Sequence, residues 1–216
     1  MKRLLPVLAA GAVAGPLLLA PGTAWAEPAS IPLREAVASL PDGTENRTGY
    51  KRDAFKHWTD ADKDGCTTRA EVLIEEAVDA PTVGARCKLT GGKWVSYYDE
   101  KPQTKTSDLD IDHMVPLAEA WDSGAAEWTP KQRERYANDL DDPRALVAVT
   151  DRHNQSKADQ DPAQWLPPSQ SAHCRYIAEW TAVKHRWKLK ADAPEKTALT
   201  ERAATCPNER IQVNPA

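Results

Sequence analysis

Two short runs constrain the fold of this sequence more than any other part of it: 109–115 (LDIDHMV) and 145–150 (ALVAVT). Both contain β-branched residues and have strand length, and the second is almost wholly apolar. The first stops at Pro116 and the second at the polar run that opens with Asp151. Between them, 117–121 and 130–140 read as helices separated by a Ser-Gly turn. Upstream, 45–58 is predicted as a helix with Tyr50, Ala54, Phe55 and Trp58 on one side, and 68–79 as a second helix stopped by Pro81. The segment 87–98 reads as a hairpin turning on Gly91-Gly92. Downstream, Tyr176, Trp180, Val183 and Trp187 fall at i, i+4, i+7 and i+11, the stripe of a helix that packs into a core. Its other face carries Arg175, Lys184, Arg186, Lys188 and Lys190, either a basic track or a solvated face. A final helix is expected over 194–205. Helices and a few short strands in this order make an α+β fold.

The N-terminus reads as an address. Lys2 and Arg3 precede an apolar stretch broken by Pro6, Gly11, Gly15 and Pro16, and Ala24-Trp25-Ala26 fits a small-x-small cleavage site. Residues 1–26 are therefore expected to be a signal peptide, 27–44 a loosely held lead-in, and 45–216 a single domain, the whole secreted. No later run is apolar enough for a membrane span, so no membrane association is expected, and no obligate protein partner is inferred from the sequence. Four cysteines remain, Cys66, Cys87, Cys174 and Cys206, an even number that in an exported chain suggests two disulfides. Three pairings are open; Cys66–Cys87 with Cys174–Cys206 is the simplest, because each closes a local loop. Zinc is the rival, but no two cysteines stand at knuckle spacing. The formal charge of -4, more negative still once Lys2 and Arg3 are removed, argues against a protein that coats nucleic acid through bulk positive charge. It leaves room for an enzyme that meets phosphate through a local basic track and a metal.

Asp112 and His113 close the first strand, placing a hard oxygen ligand beside an imidazole able to take a proton near neutral pH. Alone the pair means little. Its weight comes from the second run, after which Asp151-Arg152-His153-Asn154-Gln155-Ser156-Lys157-Ala158-Asp159 leads to Pro162. A strand ending in Asp-His, a second strand, and a helix carrying an Asn ligand is the order of a ββα-metal site.

From 108 to 168 the chain resembles the exported HNH endonucleases related to the C-terminal domain of the GmrSD restriction enzymes. The pieces D-I-D-H-x-V-P and N-x-x-K-x-D-x-x-P are also similar to the HNH domain of RNA-guided CRISPR nucleases. The resemblance implies a small ββα-metal (HNH) core over about 108–168, wrapped by helices that include 174–206. It implies a metal-dependent endonuclease acting on DNA, or RNA as well, and leaving 5′-phosphate and 3′-hydroxyl ends. His113 would be the general base, Asp112 and Asn154 would hold one magnesium or manganese ion, and Lys157 would reach a neighbouring phosphate. Two positions depart from the pattern. Asn154 stands where the family name has its last His, and His153 beside it competes for the role. The middle Asn, which orients the base, has no counterpart directly before the second strand; Asn138 is the candidate, with a backbone carbonyl as the alternative. In a flat strand Asp112 and His113 would also face opposite sides, so the strand must bend or end there.

A second motif, 60–71, matches an EF-hand loop: Asp60, Asp62 and Asp64 at positions 1, 3 and 5, Gly65 at 6, the Cys66 carbonyl at 7 and Glu71 at 12. Thr67 replaces the usual apolar residue at position 8, and no second loop pairs with it. The two readings are a structural calcium site and a solvated acidic turn. The alternative to an enzyme is accordingly an exported calcium-binding protein with a decayed nuclease core. A zinc protease is disfavoured by the lack of H-E-x-x-H.

Overall fold

The computed structural model describes residues 28–216. The proposed leader and its cleavage site lie outside them. Eight short strands run in chain order: β1 (Ala29–Pro32), β2 (Thr82–Val83), β3 (Leu89–Thr90), β4 (Trp94–Ser96), β5 (Lys101–Gln103), β6 (Leu109–His113), β7 (Leu146–Thr150) and β8 (Arg210–Val213). Seven helices lie among them: α1 (Leu33–Ser39), α2 (Thr68–Glu75), α3 (Leu117–Asp122), α4 (Pro130–Ala137), α5 (Asp151–Lys157), α6 (His173–Trp187) and α7 (Ala193–Thr205). The fold is α+β, with the strands in four antiparallel pairs rather than one sheet.

The pair β6–β7 organises the middle of the molecule. Leu109 lies opposite Thr150, Ile111 opposite Ala148 and His113 opposite Leu146. Every residue of β7 is buried, because α2, α5 and β4 all pack on it, which is why its sequence is a continuous apolar run instead of an alternation. The connection between the two strands holds α3 and α4; Thr129 caps α4 in a capping box with Gln132, and Pro130 opens it. Helix α5 follows β7 directly and lies across both strands.

The stripe expected on α6 is its buried face: Tyr176, Trp180, Val183 and Trp187 all enter the core. Of the five basic residues read on its other face as a track or a solvated face, Arg175, Lys188 and Lys190 are exposed, but Lys184 and Arg186 are buried. Lys184 is fully buried, donating to Glu119 Oε1 at 2.8 Å and Glu195 Oε2 at 2.6 Å, and Arg186 grips both oxygens of Asp139. These buried pairs fasten α6 to α3, to α7 and to the segment after α4. Both disulfides are formed, Cys66–Cys87 and Cys174–Cys206. The second joins the start of α6 to the end of α7.

Three local expectations are corrected. The segment read as a loose lead-in forms β1, paired with β8, and α1, whose Leu33, Ala36 and Val37 are buried. The helix expected over 45–58 is reduced to one turn at Arg52–Ala54, with Phe55 buried and Trp58 in the left-handed region at φ 57°. The hairpin expected over 87–98 is absent: β3 pairs with β2 and β4 with β5, and Gly91-Gly92, at φ 68° and 88°, redirects the chain between two separate ladders. No helix among the described residues is long and apolar enough to cross a membrane.

Candidate active site

Strand β6 ends on His113, and the neighbouring Asp112 and His113 line one cleft of about 210 Å³. Asn154 and Gln155 from α5 line it too, as do Arg52 and Asp159. Residues more than forty positions apart in sequence are thus brought together by the β6–β7 pairing and the helix that follows it. Both adjacent residues line the cleft although they occupy the last two paired positions of β6.

His113 is buried. Its Nε2 lies 3.0 Å from the Ala137 carbonyl, and since a carbonyl only accepts, Nε2 carries the hydrogen. Trp58 and Tyr136 flank the ring, with centroids at 5.4 and 6.4 Å. Burial pushes the imidazole down to about 3, only partly opposed by the Ala137 bond and reinforced by the Arg52 charge. The ring is therefore neutral, with Nδ1 as its basic position. The carbonyl at the end of α4 holds the ring, and the Asn138 side chain does not. Asn138 instead accepts from Thr59 N and Thr68 Oγ1 and donates to the carbonyls of Lys56 and Glu134, pinning the 56–68 loop to α4.

Asp112 is held from beneath. Its Oδ2 accepts from the Tyr98 hydroxyl at 2.5 Å and from Lys157 Nζ at 2.5 Å. Lys157 also donates to the carbonyls of His113, at 3.1 Å, and Met114, at 2.8 Å. An ammonium has three hydrogens, and all three are used inside the protein. Lys157 is fully buried, so it does not reach a phosphate as the sequence suggested. Burial pushes Asp112 up and Lys157 down, and each opposes part of the other's shift. Asn154 Nδ2 donates to Asp110 Oδ2 at 3.2 Å. His153, the rival to Asn154, turns to Asp99 Oδ2 at 3.2 Å.

This donor set fits a small divalent cation. Among the described residues, Asp112 Oδ1 and Asn154 Oδ1 have no hydrogen-bond partner, and both residues line the cleft. Two hard oxygens, with water for the rest, match the habit of magnesium, which keeps several waters. Arg52, Tyr98 and the Ala137 carbonyl were not singled out from the sequence. Arg52 is exposed on the cleft; nothing in its local pattern marks it, since only the fold brings 52 beside 113.

At the acidic loop, carboxylate oxygens of Asp60, Asp62 and Asp64 lie within 4.8 Å of one another, all three side chains exposed. Asp60 Oδ2 accepts from Gly65 N at 3.1 Å and Asp64 Oδ1 from Cys66 N at 2.7 Å. Gly65 takes φ 98°, a turn only glycine makes freely. Glu71 stands in the first turn of α2, raised above the usual carboxylate range by burial and then by the charges of Asp64, Asp62 and Asp60. The Cys66 sulfur is committed to the disulfide, so only its carbonyl is left as a ligand.

Comparison with known proteins bears on this geometry. Residues 71–202 match the family model described as "GmrSD restriction endonucleases, C-terminal domain". The chain is 44% identical over 184 residues to an Arthroderma benhamiae protein described as an uncharacterized secreted protein, covering 83% of this chain and 89% of that one. No solved structure gives a significant match. The family match contains β6, the α3–α4 connection, β7 and α5, and with them Asp112, His113 and Asn154. This chain belongs to the family of the C-terminal domain of GmrSD restriction endonucleases, a nuclease-like family.

Proposed function

We propose that the protein is an exported HNH-type endonuclease that hydrolyses phosphodiester bonds, with DNA as substrate. The observation that carries this reading is the convergence of a neutral, carbonyl-held His113 with Asp112 and Asn154 in one cleft. His113 Nδ1 takes the proton of an attacking water, while the Ala137 carbonyl keeps Nε2–H in place and stabilises the imidazolium that forms. Asp112 and Asn154 hold magnesium or manganese through their free oxygens. When bound, that ion supplies charge neutralisation at the phosphate and at the leaving 3′ oxygen. Tyr98 and Lys157 fix the Asp112 carboxylate so that one oxygen faces the cleft. Arg52 meets a phosphate, taking the place the sequence had suggested for Lys157.

The relative described as secreted, the two disulfides and the N-terminal leader pattern support export. The loop 60–71 takes a structural calcium through Asp60, Asp62, Asp64, the Cys66 carbonyl and Glu71, a reading supported by the proximity of its aspartates. The test is incubation of the mature protein with supercoiled DNA and magnesium. Nicked and linear products that vanish with chelator, and that accept ligation as 5′-phosphate and 3′-hydroxyl ends, are expected. Intact supercoiled DNA from a folded, metal-supplied protein would favour the calcium-binding alternative.

A further inference from the structure

Away from the cleft, a dense group of carboxylates gathers around α3. Glu119 and Asp122 lie on that helix, Glu45 on the loop after α1, and Asp161 and Asp192 on the segments before α6 and α7. One carboxylate oxygen from each of Glu45, Glu119 and Asp122 lies within 4.8 Å of the other two. Glu45, Asp161 and Asp192 form an adjoining trio. Glu119, Asp122 and Asp161 are buried and Glu45 is exposed, so the group has a closed floor and an open mouth.

The cations that reach it are too few. Lys184 serves Glu119 but is shared with Glu195, and Arg47 Nε lies 2.6 Å from Asp122 Oδ2 while its Nη1 reaches out to Asp159. Buried carboxylates in excess of their cations are costly unless a metal or a proton joins them. Asp122 is 7% exposed, and its second oxygen, Oδ1, is buried with no hydrogen-bond partner. Buried oxygens of this kind are normally satisfied, so one left open on a residue of this acidic group points to a missing ligand. Burial and then Glu119 also push Glu45 up to about 7.

We propose that Glu45, Glu119 and Asp122 form a divalent-cation site separate from the cleft, with calcium as the occupant. The donors are all carboxylate oxygens, which selects a hard cation. They come from a helix and a loop rather than a regular cage, which suits the flexible coordination of calcium better than the octahedron magnesium demands. None of the three lines the catalytic cleft. The ion ties the loop carrying Glu45 and Arg47 onto α3, and through the Arg47–Asp159 contact at 3.3 Å it steadies the rim of the cleft.

The test uses the mature chain carrying Asp62→Ala and Asp64→Ala, which removes the loop 60–71 as a calcium ligand, with magnesium held constant to occupy the cleft. Calorimetric titration with calcium should show one saturable equivalent, accompanied by a rise in Tm. Adding Glu45→Gln, an exposed and near-isosteric change, should weaken that equivalent by about 10-fold or more. Asp122→Asn, checked for folding by circular dichroism, should do the same. No saturable calcium uptake in the parent of this series, or uptake unchanged by Glu45→Gln, would overturn the proposal.

Discussion

Lys157 Nζ lies 2.5 Å from Asp112 Oδ2 in the interior of the protein, with the carbonyls of His113 and Met114 taking its other hydrogens. The lysine thus sits under the proposed metal ligand and not beside the substrate. Lys157→Met leaves a buried carboxylate without its cation, and the loss of such a partner costs about 3–5 kcal/mol. Denaturant unfolding should show a loss of that order. A variant of unchanged stability whose KM for DNA rises would return Lys157 to the phosphate.

If Arg52 takes that phosphate, Arg52→Ala should lower kcat/KM by about 10-fold while leaving Tm within a degree or two of the parent, since the side chain is exposed. The logarithmic dependence of DNA affinity on salt should also flatten by about one phosphate contact. An unaltered salt slope would remove Arg52 from the interface.

The Asn138 side chain makes four hydrogen bonds, none of them to His113. Asn138→Ala should therefore lower stability, by about 1–3 kcal/mol for the groups it strands, while kcat per folded molecule is preserved. A collapse of kcat in a variant as stable as the parent would restore it as the residue that orients the base.

The difference between Asn138 and Ala137 shows where sequence reading stops. A side chain that orients a base leaves a letter in the sequence, whereas a backbone carbonyl does so at any residue type. That Asp112, His113 and Asn154 meet in one cleft was legible because their order along two strands and a helix is distinctive. The buried run of β7 and the stripe of α6 were legible because burial dictates apolar periodicity. Lys157 was misread because a lysine in a polar motif looks exposed until its three partners are seen, and Lys184 and Arg186 were misread on α6 for the same reason. The segment 45–58 has helical spacing of aromatics, but Phe55 and Trp58 are placed by tertiary packing around α4 and His113, which overrides local pattern. The β2–β3 and β4–β5 ladders are too short to carry a readable alternation.

The depressed imidazole has a consequence for pH. His113 falls from 6.5 to about 3 in the folded protein, so the unfolded chain binds the extra proton first as the medium acidifies. The stability it contributes is complete above pH 6.5 and is lost as pH falls towards 3, at up to about 1.4 kcal/mol per unit. Unfolding of metal-free protein across that window should show this slope, and His113→Asn should lack it. Equal slopes in both would place the proton uptake elsewhere.

Calcium should raise Tm without supporting turnover, because a structural oxygen cage and a catalytic centre make different demands on the ion. Asp62→Ala with Asp64→Ala should bind one calcium fewer than the parent. A double variant with undiminished uptake would make 60–71 a solvated acidic turn.

The central claim, that His113 is the general base of a phosphodiesterase, is tested most directly by imidazole rescue. His113→Ala keeps Asp112 and Asn154, so it should retain metal binding while losing DNA cleavage. Imidazole in the buffer should restore part of that cleavage, in proportion to the neutral fraction of the added base. If imidazole restores nothing while the variant is folded and metal-loaded, or if His113→Ala cleaves DNA at the parent rate, the assignment of His113 as the base is contradicted.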